Sequence, residues 1–133
     1  MSEKAESNEA LENTVRVTAK VMYLHEQSSA AARRYVFSYT ITIENLGSEN
    51  VQLMTRHWLI TDADGRLQEV NGDGVIGEQP IIRPGEAHTY TSGAILETPV
   101  GTMEGSYGMV SAGGISFDAH IPVFRLAVPG VLN

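Results

Sequence analysis

Apolar and polar residues alternate with a period of two along most of this chain, and no stretch carries the 3.6-residue period of a long helix. Val15, Val17, Ala19, Val21 and Tyr23 alternate with Arg16, Thr18, Lys20 and Met22, which predicts a half-buried strand. Residues 25–32 read as a loop, with the alanine run a candidate for one helical turn. A second strand follows in which Tyr35, Phe37, Tyr39, Ile41 and Ile43 face one way and Val36, Ser38, Thr40, Thr42 and Glu44 the other. In residues 51–61 the apolar parity changes, from Val51 and Leu53 to Trp58 and Ile60. That predicts either a bulge or a strand buried on both faces.

Turn chemistry separates these segments. Asn45-Leu46-Gly47-Ser48-Glu49-Asn50 links two strands, and Asp64-Gly65 is a hairpin signal, because both residues tolerate positive φ. Residues 66–70 return as a short polar edge strand. A glycine- and proline-rich excursion fills 71–86, followed by strands at 87–94, 102–110 and 115–121. Pro122 interrupts, and 123–128 continue at a sheet edge, where a missing N–H costs little. Seven to eight strands at this spacing predict an all-β, two-layer antiparallel sandwich of the immunoglobulin type. Residues 14–128 form the domain, between an acidic, mobile tail at 1–13 and a short C-terminal tail at 129–133.

Composition narrows the functional classes. The 133 residues, 42% hydrophobic and 19% charged, suit one globular domain. With no cysteine there is no disulfide, zinc–thiolate site or thiol nucleophile. The net charge is −7, of which residues 1–14 hold −3, so the folded part carries −4 and no basic stripe. Nucleic acid is therefore not an expected partner. The apolar runs are too short to span a membrane, and the N-terminus lacks the pattern of a secretory signal, so the expected location is cytoplasmic. Polar edge strands and Pro122 predict a monomer or a weak homodimer.

Several motifs invite chemistry. Gly72-Asp73-Gly74-Val75-Ile76-Gly77 spells G-x-G-x-x-G, but Glu78-Gln79-Pro80 stops any helix at once, so the dinucleotide context is missing. Gly72, Asp73, Gly74 and Gly77 are kept as a candidate ligand loop, either a backbone nest for an anion or a turn that needs positive φ. Asp62-Ala63-Asp64-Gly65 opens like a calcium loop, but Arg66, Leu67 and Asp73 stand where that loop needs its ligands and glycine, which leaves a hairpin turn. His25, His57, His88 and His120 never fall at metal-ligand spacing, so the metal question stays open. Arg56-His57-Trp58 is either core plus edge, with Trp58 as inter-sheet anchor, or a recognition surface built on Arg56 and His57. Arg56 shares a parity with Trp58, so it either lies beyond a bulge or is buried with a partner. No serine elbow or spaced acid pair suggests catalysis.

The blocks Tyr39-x-Ile41-x-Ile43-x-Asn45-x-Gly47, Arg56-His57-Trp58, Val70-x-Gly72-x-Gly74-Val75-x-Gly77-x-x-Pro80, Pro84-Gly85, Tyr90-x-Ser92-Gly93 and Gly101-x-Met103-x-Gly105-x-Tyr107 together resemble the bacterial ApaG family, over about residues 15–128. That resemblance implies a fibronectin-III-like sandwich without a cofactor or a shared enzymatic activity. It also implies an association with cobalt resistance and magnesium efflux, and a gene often beside a diadenosine tetraphosphate hydrolase. Eukaryotic relatives occur as modules of F-box proteins and of a polymerase-interacting protein, which implies a binding role. The expected function is a non-enzymatic module for a protein partner, with an effect on divalent-cation homeostasis. The alternative is a binder or weak hydrolase of pyrophosphate or nucleotide, with Mg2+, at the glycine loop.

Overall fold

Strands that alternate must cover one face, and the computed structural model, which describes residues 8–131, has eight strands, most of which do so. They are β1 (Val15–Tyr23), β2 (Tyr35–Asn45), β3 (Val51–Asp62), β4 (Leu67–Asp73), β5 (Ile81–Ile82), β6 (Ala87–Leu96), β7 (Val100–Ser111) and β8 (Ser116–Ala127). One antiparallel sheet runs β1-β2-β6; the other runs β4-β3-β7-β8, with β5 paired to the start of β3. The alternating apolar faces of β2, β3, β7 and β8 meet between the sheets. Phe37, Ile41 and Ile43 pack there with Leu53, Trp58, Met103, Tyr107 and Ile121. This is the expected all-β sandwich. No helix among the described residues is long and apolar enough to cross a membrane.

The parity change in β3 is a bulge. Register against β7 shifts between Leu53 and Thr55, so Leu53 and Trp58 both face inward although their numbers differ in parity. Arg56 lies beyond that bulge and shares the inner face with Trp58. A second irregularity falls opposite Pro122 and Val123, where β8 needs two residues to pass Glu104 of β7. Residues 116–127 are therefore one edge strand rather than two. The excursion is more ordered than expected. Gly72 and Asp73 belong to β4, and residues 81–82 form β5.

Asn45 ties these parts together. Its side-chain Nδ2 donates to the carbonyls of Glu49 (2.7 Å) and Ile82 (2.9 Å), and Oδ1 accepts from Gly47 N–H. Its backbone N–H donates to Glu86, and its carbonyl accepts from Gly85 N–H. The expected helical turn in residues 25–32 falls on His25–Gln27, ahead of the alanines. Ser28 Oγ then accepts from Val36 N–H, and Val36 is buried on the side of β2 that was expected to face solvent.

The expectation of a mobile tail through residue 13 needs correction. Asn8–Glu12 forms a short helix, α1. Leu11 is only 7% exposed and joins the core, and Asn8 Nδ2 donates to Ser116 O at 2.7 Å. Residues 1–7 and 132–133 lie outside the described residues, so those parts of the two tail expectations fall there, while 129–131 form a turn in which Val131 N–H donates to Val128 O. Leu11→Ala is expected to cost about 2 kcal/mol, the low end for a buried leucine. Urea denaturation measures it, and an unchanged midpoint would mean that α1 adds nothing to the fold.

Candidate functional site

The candidate residues gather where β4 passes β3. Arg56 stands directly opposite Gly72 on one side and Tyr107 on the other. A side chain at Gly72 would collide with the Arg56 guanidinium, at 2.7 Å from an ideal Cβ, so glycine is what allows the arginine to lie flat across β4. Nη1 then donates to the carbonyls of Asp73 and Gly74, both at 2.9 Å. Arg56 thus clamps the root of the glycine loop to the sheet.

The loop itself is a tight hairpin. Val75 and Glu78 bridge, with N–H donation in both directions, and Gly74 N–H donates to Met54 O. These bonds occupy the N–H groups of Gly74, Val75 and Glu78, which an anion nest would need. Gly74 (φ +62°) has no room for a side chain, since Glu78 O would lie 2.2 Å from its Cβ, whereas Gly77 (φ +74°) faces open space. Between them Ile76 adopts φ +48°. A β-branched residue there is strained, and its side chain is 62% exposed.

His57 projects from the other face of β3, opposite Asn71 and Ser106, and its Nε2 lies 2.7 Å from Glu69 Oε2. It borders an open groove of about 470 Å3 with Thr55, Asn71, Asp73, Ser106 and Asp118. His120 shares the His57 row through Ser106, while His25 and His88 sit elsewhere. Among the described residues no three His, Asp or Glu side chains come together as a metal site. Asp62 serves its turn: Oδ1 accepts from Asp64 N–H (3.0 Å) and Arg66 N–H (2.9 Å).

On its inner side Arg56 meets groups that sequence reasoning did not connect. The Tyr90 and Tyr107 hydroxyls hydrogen-bond at 2.5 Å across the two sheets. Burial raises both: Tyr90 is pushed up to about 12, and Tyr107 rises further, helped by its neighbour Tyr90, while the Arg56 charge opposes both shifts. Both phenols therefore stay protonated near neutral pH. The Trp58 indole Nε1 faces the Tyr90 hydroxyl, yet it has no partner in hydrogen-bonding geometry. Tyr90 lies on the more buried row of β6 with His88, Ser92 and Ala94, a row whose mixed polarity gave no face to the strand in the sequence. Its pairing with Tyr107 depends on how the two sheets stack, which no strand pattern encodes.

Comparison with known proteins agrees with this architecture. The family model described as the ApaG domain matches residues 25–111. A protein named Protein ApaG from Pseudomonas paraeruginosa is 57% identical over 92% of this chain and 97% of its own length. An X-ray structure of a structural-genomics target superposes with a TM-score of 0.89 at 55% identity, covering 93% of this chain and 94% of that one. A crystal structure titled as the putative ApaA protein from Bordetella pertussis gives 0.85 at 47% identity, over 87% and 94%. With a family match across most of the domain and relatives of this identity over nearly the whole chain, the protein belongs to the ApaG family.

Proposed function

We propose that this chain is a non-enzymatic binding module, which engages a protein partner through the 74–79 hairpin and the adjoining surface of Arg56 and His57. The observation that carries this reading is Ile76. Asparagine or glycine would occupy that left-handed turn position with less strain, so an exposed isoleucine there costs stability in the isolated protein. A strained, solvent-facing apolar side chain on a hairpin clamped by Arg56 has the properties of a preorganised contact. The bonded N–H groups of the hairpin weigh against pyrophosphate or a nucleotide with Mg2+ as its ligand. The resemblance to a family associated with cobalt resistance and magnesium efflux makes components of divalent-cation handling the first partners to seek.

Ile76→Asn tests this. Relief of the turn strain is expected to raise stability by about 1 kcal/mol, while proteins retained by the immobilised wild type are lost. An unchanged set of retained proteins, compared by mass spectrometry, would count against the reading.

A further inference from the structure

Hydrogen-bond donors outnumber acceptors around the two tyrosines. The Trp58 indole is a donor only, is 2% exposed, and faces the Tyr90 hydroxyl without reaching good hydrogen-bonding geometry. Tyr107 is fully buried, and its hydroxyl bonds to Tyr90. If Tyr90 donated to Tyr107, the Tyr107 proton would be left buried and unpaired, a costly arrangement. Donation from Tyr107 to Tyr90 avoids that and frees the Tyr90 proton to point outward. Arg56 adds donors of its own: Nη1 serves the loop carbonyls, and Arg56 enters none of the ion pairs among the described residues.

This cluster lies at an open flank. The β1 edge of the smaller sheet lies against β8, whereas β4 extends the other sheet at its opposite edge. Val70 shares the inner face of β4 with Gly72, directly opposite buried Trp58, yet it is 36% exposed. Tyr90 and Arg56 are only half-buried. Solvent therefore reaches the mouth of a group whose donors exceed its acceptors, the phenol oxygens and the two loop carbonyls.

We propose that Arg56 and Tyr90, backed by Trp58 and Tyr107, form a subsite for a single carboxylate at the flank between β6 and β4. One cation with neutral donors on its own and the neighbouring strand suits a monoanion. The net charge of −7 opposes phosphates carrying two or more charges. The subsite deepens the partner-binding reading, because a partner's acidic side chain or C-terminus would present this group, but its test needs no partner.

The chain has one tryptophan, so its single indole N–H resonance reports on the subsite directly. The 15N-labelled protein is titrated at constant ionic strength with acetate, glutarate, inorganic phosphate, and a short peptide ending in glutamate in free and amidated forms. A saturable downfield shift of the indole signal with the carboxylates is expected. Arg56→Gln is expected to weaken their binding by about tenfold or more, and Tyr90→Phe to weaken it with the Arg56 clamp intact. The two peptide forms show whether the terminus or the side chain is the preferred source. No saturable carboxylate shift, tighter binding of phosphate, or unchanged binding in both variants would each overturn the assignment. Failure here leaves the hairpin reading to be decided by Ile76→Asn alone.

Discussion

Trp58→Ala is expected to remove about 3–5 kcal/mol of stability, as other buried tryptophan truncations do. Trp58 is the hub of the aromatic core. Its ring lies 5.3 Å from Tyr39, 5.9 Å from Phe124 and 6.2 Å from Tyr107, the last two edge-on, so three strands besides its own lose contacts at once. Both sheets meet on this side chain, and neither can close the cavity by moving alone. Far-UV circular dichroism in guanidinium gives the measurement, since the fluorescent probe itself is deleted. A loss below 1 kcal/mol would mean that the inter-sheet packing around Trp58 is far looser than described.

Gly105→Ala is expected to be nearly as damaging, by about 3 kcal/mol or more, although it only adds a methyl group. An ideal Cβ there would stand 1.9 Å from the His57 carbonyl oxygen and 3.1 Å from the Trp58 Cα. Both obstacles are backbone, fixed by the β3–β7 ladder, so no side-chain rotation relieves the clash. Gly93→Ala is the matched control on β6, where the nearest atom is an ordinary 3.5 Å away. Thermal melts of the two variants should differ by many degrees. Equal melting temperatures would show that β7 can shift away from β3 at no cost.

What the sequence disclosed followed from strict alternation. β1, β2 and the inward row of β7 could be placed from parity alone, and the parity break in residues 51–61 left a bulge or a doubly buried strand, of which the register against β7 shows the bulge. Arg56 was legible as a conflict, a charge on the face of Trp58. Its resolution was not, because it depends on Gly72 lying opposite in a strand that shows no alternation. α1 escaped notice because a single leucine among polar residues carries no period. Ile76 escaped because Ile-Gly is not a turn pair that backbone preference would select. The candidate loop residues Gly72, Asp73 and Gly74 do come together with Arg56, while Gly77 stands at the tip and His57 on the opposite face of β3. The tyrosine pair joins residues 17 apart in different sheets, beyond the reach of any local pattern.

The bonds of Asn45 make segment 82–86 open and close with the body of the protein. Its backbone ends the smaller sheet, while its amide holds the carbonyl of Ile82, a residue paired to the larger one. Residues 82–86 therefore cannot lift away from the surface as a separate flap without breaking the end of β2. Amide protons such as that of Gly85 would then exchange with solvent at rates approaching those of the strands, so the segment belongs to the same cooperative unit as the sheets.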